Sequence, residues 1–311
     1  MRSVPGMLCA VMIGVISAYL FPGCTSYEQE KKKWPDTWDH GKIHVSADES
    51  FKPVIDEQVR VYESNTPGTE IVVHYKPEAD CLKDIANDSI RMIIATRGYS
   101  PAEENFMVDS MKVAPKQQVV ARDAIAVIVH PSSPDSMFTM QEIRDVITGN
   151  YSRKLVPVFD GVKATSTVRY IVDSVLSGKE TISPNAAAAR SSDEVIDYVS
   201  KNPDAIGFIG VNWIGNKEDT AQVNFLKKVK IAYLQSTIKP DGYVLPYQIN
   251  ISARVYPMVR DLVYILKENH KGLGEGFSDF LAGEKGQMIF RRAYLSPAKR
   301  SFVVRKAELR H

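Results

Sequence analysis

Three short stretches of this 311-residue chain carry side chains suited to gripping a small anion without reacting with it. Asp48, Glu49 and Ser50 close the run KIHVSA and open a segment with helical spacing. Thr96 and Arg97 follow the apolar run IRMIIA, and Thr165, Ser166 and Thr167 precede VRYIVDSVL. The first turn of a helix has unpaired N–H groups and a positive dipole end, so it can hold an anion without a cationic side chain. Hydroxyls add donors, and a guanidinium offers parallel N–H groups to two oxygens at once. The same residues have a plainer use. Ser, Thr and Asp at helix starts are caps worth about 1 kcal/mol, and an arginine after a strand pairs with a surface acid. Only convergence of the three stretches would make a site.

Reactive chemistry finds little support. His-Glu-x-x-His, Cys-x-x-Cys and Gly-x-Ser-x-Gly are absent, which removes the signatures of zinc peptidases, dithiol redox proteins and serine hydrolases. GLGEGF (272–277) has glycines at the wrong spacing for a dinucleotide loop, and the six histidines are scattered. No catalytic residue, metal site or cofactor is expected. The 39 Lys and Arg against 37 Asp and Glu lack the basic excess of a nucleic-acid binder, so no nucleic-acid partner is expected. Three cysteines make no disulfide framework; Cys81 reads as a small buried hydrophobe.

The elements that must position these residues alternate. A strand at 42–47, a helix carrying Phe51, Val54, Ile55, Val59 and Tyr62, a strand at 69–75, a helix over 78–88 and a strand at 90–96 follow in order. That order predicts a mostly parallel sheet covered by helices. Beyond a strand ending near Ala121 come AIAVIVH (124–130), a helix TMQEIRDVITG, a strand over 155–159, and a helix striped by Val168, Ile171, Val172, Val175 and Leu176. A helix over 191–201, the strand AIGFIG (205–210), a long strand FLKKVKIAYLQ and two helices around 276–292 complete the pattern. The expected fold class is α/β with two lobes: 42–122 plus 236–311 as lobe I and 123–235 as lobe II. The crossings fall near Ala121-Arg122 and Gln235-Ser236, with a ligand cleft between the lobes.

The first 23 residues read as an export signal: Arg2 is their single charge, and Met7–Phe21 form an apolar run shorter than the roughly 20 residues of a membrane span. Cys24, after Pro22-Gly23, resembles a lipoprotein cysteine. The polar stretch 24–41 reads as a tether, and the expected location is periplasmic or cell-surface, on a membrane through lipid. A plain secretory signal, or an uncleaved short anchor, is the alternative for the same segment.

From residue 42 to about 298 the chain resembles the phosphate-binding proteins of phosphate ABC transporters, a branch of the type II periplasmic-binding-protein fold, and among them lipid-anchored versions from the Bacteroidetes group. The resemblance is carried by VSADESFKP, IIATR, ATSTVRY, AIGFIG and the run YPMVRDLVYI…GLGEGFSDFLAGEKGQMI. It implies inorganic phosphate as ligand, ABC permease subunits as partners, and a monomer. The family's first loop falls on Asp48, Glu49 and Ser50, its Ser-Arg pair on Thr96 and Arg97, and its Ser-Gly-Thr loop on Thr165, Ser166 and Thr167.

Three departures stand out. The first loop offers carboxylates where hydroxyls are usual. The family's proton-accepting acid falls near Arg91. Its arginine ahead of Ser-Gly-Thr falls near Gly161, with Lys163 the nearest cation. Asp48 or Glu49, turned inward, would supply an acceptor that favours a protonated phosphate; turned outward, either is a helix-start charge. A lipoprotein that uses the same cleft for sensing or protein docking is the other reading of the sequence.

Overall fold

One strand, β4, belongs to both lobes, and its path explains the cleft. The structure, a computed structural model, describes residues 35–112, 114–161, 165–216, 218–268 and 270–299. The signal segment, Cys24, most of the tether and Lys163 lie outside the described residues. In chain order the elements run β1 (Gly41–Asp48), α1 (Lys52–Asn65), β2 (Thr69–Lys76), α2 (Glu78–Lys83), β3 (Ile90–Ala95), α3 (Pro101–Phe106) and β4 (Lys116–Val129). There follow β5 (Met137–Phe138), α4 (Met140–Thr148), β6 (Val156–Phe159), α5 (Ser166–Tyr170), β7 (Ala187–Ala188), α6 (Ser192–Lys201) and β8 (Ala205–Gly210). Then come α7 (Thr220–Lys228), β9 (Lys230–Ile231), β10 (Tyr233–Gln235), β11 (Tyr243–Val244), α8 (Gln248–Ser252), β12 (Val259–Leu266), α9 (Leu273–Ala282), α10 (Glu284–Arg292) and β13 (Ser296–Pro297).

Lobe I is the sheet β2-β1-β3-β12-β4, with β1, β2 and β3 parallel and β12 antiparallel to both neighbours. Alternate residues of β3 serve opposite faces, as the two-residue period of a strand requires. Met92 and Ile94 join the core under α1, α9 and α10, whereas Ile93 and Ala95 pack with Cys81, Leu82 and Ile85; Ile90, ahead of a register shift at the start of β3, packs with the second group. Lobe II repeats the arrangement as β4-β8-β6-β7. Ile125, Val127 and Val129 of β4 face one core, and Ala126 and Ile128 face the other. Both lobes are therefore sheets buried on two sides, which is why their strands read as continuous apolar runs.

Three sequence expectations are corrected. The two strands expected on either side of residue 122 are one strand, β4, which carries the chain from lobe to lobe without a break. The return crossing lies at Val259–Arg260 rather than Gln235-Ser236. Leu234, Ile251, Tyr256 and Met258 all pack in the lobe II core, and Tyr256 Oη donates to the Ile125 carbonyl at 3.0 Å; Leu262 is where β12 enters the lobe I core. The long strand expected over FLKKVKIAYLQ is instead the end of α7 followed by short β9 and β10. Asp219 caps α7 by accepting from the N–H groups of Ala221 and Gln222, and such a cap starts a helix where local propensity alone is ambiguous. Among the described residues, no helix is long and apolar enough to cross a membrane.

Candidate functional site

The two crossing strands lie side by side, and their register sets a charge at the centre of the molecule. Arg260 of β12 is the cross-strand partner of Asp123 of β4, so both side chains project from the same face of the sheet. Both are buried; Arg260 Nε donates to Asp123 Oδ2 at 2.9 Å, and the Arg260 guanidinium stacks 5.0 Å above the Phe51 ring. From there Arg260 Nη1 reaches lobe II and donates to Ser166 Oγ at 2.7 Å and Thr167 Oγ1 at 3.5 Å.

Ser50 approaches from lobe I. It sits in the single turn Glu49–Phe51 that follows β1, capped by Asp48, whose Oδ1 accepts from the Ser50 N–H at 3.0 Å. Ser50 Oγ lies 3.3 Å from Ser166 Oγ and 3.4 Å from Asp160 Oδ2. Asn212 and Trp213 of lobe II fix the Ser50 carbonyl with N–H donors at 3.1 and 2.8 Å. On the lobe II side, Thr165 caps α5 by accepting from the Val168 N–H, and the helix continues as a π-helical turn through Val175. Asp160 directly follows β6, next to Gly161. The latter has φ +139°, and an added Cβ would meet Thr165 Cγ2 at 2.6 Å. Only glycine allows Thr165 to return so closely to the strand end.

Ser50, Thr165, Ser166, Thr167 and Ser192 thus bring five hydroxyls, all buried, to one place together with Asp48, Asp160 and Arg260. The electrostatics are lopsided: three buried carboxylates surround one guanidinium. Burial pushes Asp48 up to about 7 even though Arg260 pulls the other way. Burial also raises Asp123 and Asp160 above their ordinary range, with Arg260 again the main opposing influence. Glu49 is half-buried, and burial, then the nearby Asp160 charge, raises it. A centre of this kind suits an anion that brings a proton of its own, because a fully ionised one meets unshared negative charge.

Of the residues nominated from sequence, Asp48, Ser50, Thr165, Ser166 and Thr167 are brought together, with Glu49 at the margin. Arg97 is not among them. Its guanidinium is bonded to Glu103 at 3.0 and 3.1 Å and to the Gly98 carbonyl, and Glu103 is engaged in the capping box of α3. An arginine after a strand has here the surface role open to it. Thr96 is buried but committed to Glu78, whose Oε1 accepts from the Thr96 N–H at 2.7 Å and hydroxyl at 2.5 Å. Arg169 of α5 closes this contact from the opposite lobe, through Nε to Glu78 Oε2 and through Nη2 to Thr96 Oγ1 at 2.7 Å. Burial would raise Glu78, but its bonds from Arg169 and Thr96 outweigh that and hold it below its ordinary value. A cavity of about 680 Å³, lined by Glu78, Arg97, Tyr99, Glu103, Val168 and Arg169 among others, opens beside this contact and not at the hydroxyl cluster.

The members that sequence reasoning missed are Asp160, Ser192, Asn212, Asp123 and Arg260. Two carried a signal. Arg260 stands in the apolar run YPMVRDLVYI, where a charge must find a buried partner. Asp160 occupies the end of a strand, the same position that singled out Asp48.

Two crossing strands, two doubly covered sheets and a polar cleft define a two-lobed binding protein. A family model described as PBP superfamily domain matches residues 35–285, and the chain belongs to that family. The phosphate-binding protein PstS of Borreliella burgdorferi is 18% identical over 294 residues, covering 90% of this chain and 94% of that protein. PstS of Pseudomonas aeruginosa is 27% identical over 183 residues, covering 52% of this chain and 53% of that protein. Among solved structures, a protein from Clostridium perfringens determined with bound phosphate superposes with a TM-score of 0.69 at 21% identity, over 83% of this chain and all of that one. An ABC-type phosphate transport receptor from Vibrio cholerae gives a TM-score of 0.61 at 16% identity, over 82% and 99% of the two chains. The fold shared with these structures is the two-lobed binding-protein fold.

Proposed function

We propose that this chain captures inorganic phosphate between its lobes and delivers it to the permease subunits of an ABC importer. The observation that carries this reading is the meeting of Ser50 from lobe I with Ser166 from lobe II, 3.3 Å apart, under the Arg260 guanidinium. Ser50, Thr165, Ser166, Thr167 and Arg260 would donate to the phosphate oxygens, and Asp48 would accept the proton of a protonated phosphate. Arg260 takes the role that the sequence suggested for Arg97. The similarity to a phosphate-binding protein and to a structure determined with bound phosphate supports the ligand class. No bond is made or broken, so the site needs no nucleophile or general base.

The same reading places the protein outside the cytoplasm as a monomer held by lipid on Cys24. Cys24→Ala is expected to release it from the membrane fraction without altering phosphate binding.

Discrimination follows from charge. Sulfate has no proton to give and, once Asp48 is ionised above about pH 7, would meet its carboxylate and that of Asp160 as repelling groups, whereas monohydrogen phosphate can donate to one of them. Calorimetric titration of the purified protein with each anion on the alkaline side of the Asp48 value tests this. The expected result is saturable binding of phosphate and no heat with sulfate. Equal binding of both anions would remove the role of the carboxylate, and silence toward both would remove phosphate capture.

A further inference from the structure

We propose that Asp160 is a resident carboxylate that occupies the anion position of the cleft and sets how tightly phosphate is held. The inference rests on the phosphate reading for its ligand but on separate contacts for its geometry. Hydroxyls from two segments of lobe II and from lobe I face this one side chain. Thr167 Oγ1, Ser192 Oγ and Ser50 Oγ lie 3.2, 3.3 and 3.4 Å from Oδ2, and Thr165 Oγ1 lies 3.4 Å from Oδ1. Three of these four donors are the ones a bound phosphate would need.

A guest anion therefore competes with a carboxylate already in place. The competition is uneven in an informative way. O–H···O bonds to a charged oxygen usually close to about 2.5–2.7 Å, and those around Asp160 are all longer. The ring of hydroxyls is wider than a planar two-oxygen acceptor draws tight, and a tetrahedral oxyanion has more oxygens to fill it. Arg260 does not neutralise Asp160 by contact; its direct carboxylate partner is Asp123. The other charges facing Asp160 are Glu49, which feels it directly, and Asp48, which shares the Arg260 field with it. The hydroxyls are what hold the Asp160 carboxylate, and they are the groups a phosphate takes over.

Two nearly isosteric or truncating variants separate the alternatives. Asp160→Asn removes the charge and keeps the shape; phosphate affinity by calorimetry is expected to rise at least tenfold over the unaltered protein. Unchanged or weaker binding would overturn the proposal and make Asp160 an acceptor of the phosphate proton instead. Asp160→Ala opens the position itself, and added formate is expected to raise the melting temperature of this variant and not of the unaltered protein. No formate effect on Asp160→Ala would likewise overturn it. If phosphate binds neither the unaltered protein nor Asp160→Asn, phosphate capture fails, while the formate result still decides whether a carboxylate position exists.

Discussion

Two of the contacts between the lobes are unlike. One is the hydroxyl cluster beside the crossing strands, where Ser50 meets Ser166 and Asp160. The other is the Glu78–Arg169–Thr96 contact at the edge of the cleft. The first is buried and built from short neutral donors around a surplus of carboxylate, whereas the second is a matched pair of opposite charges, Glu78 buried and Arg169 partly exposed. A matched pair is satisfied by itself and specifies how the lobes align. A set of converging hydroxyls is an exchangeable acceptor site, because any oxyanion of the right size can replace the acceptor in the middle. On the proposed reading, binding belongs to the cluster and alignment to the ion pair.

Removing Arg260 is the severest way to break this division. Arg260→Met leaves Asp123, Asp48 and Asp160 buried without their counter-charge, and loss of one partner of a buried pair costs about 3–5 kcal/mol. Denaturant unfolding is expected to show a loss of that size together with lost phosphate binding. Glu78→Gln comes next. It weakens charge-assisted bonds to Arg169 and Thr96, with an expected loss of about 2 kcal/mol, and solution scattering should show lobes that open further while the hydroxyl cluster still binds phosphate. Ser166→Ala takes away one donor and the closest acceptor of the buried Arg260 Nη1; affinity is expected to fall about tenfold, or about 1.4 kcal/mol, and unfolding free energy by about 1 kcal/mol.

Protonation gives a subtler contrast. The folded-state value of Asp48 is raised from its ordinary 3.8 to about 7, so between those limits the native protein holds a proton that the unfolded chain releases. Stability from this group is fully present at low pH and falls as pH rises towards 7, with a slope of at most about 1.4 kcal/mol per pH unit. Asp48→Asn is expected to remove its share of that slope in unfolding curves taken from pH 4 to 8, leaving the shares of Asp123 and Asp160. The smallest effect belongs to Arg97. Arg97→Ala breaks a partly exposed pair with Glu103, and stability is expected to move by less than about 0.5 kcal/mol, with phosphate affinity unchanged.

This contrast between residues also shows what could be read in advance. The lobes were legible because strands covered on both faces must be apolar throughout, as AIAVIV (124–129) and AIGFIG are. The small-hydroxyl loops were legible because helix starts have a fixed chemistry, and Ser50 and Thr165–Thr167 do converge between the lobes. Arg97 lies apart from the cluster because a strand end fixes where a side chain begins and not where a long guanidinium ends; Glu103, six residues on, holds it. The second crossing was misplaced because nothing local marks it. Tyr256 and Met258 differ from Leu262 only in which core they enter, a property of β4–β12 pairing across more than a hundred residues. Arg260 was hidden for the same reason, since its partner Asp123 lies far away in sequence.

The central claim is that one oxyanion is held by donors from both lobes at once. Phosphate titrations by calorimetry on the unaltered protein, Ser50→Ala and Ser166→Ala test it most directly. The account predicts saturable binding that weakens about tenfold in each variant, one from each lobe. Binding that survives either substitution at full strength would contradict it, because the anion would then rest on one lobe alone.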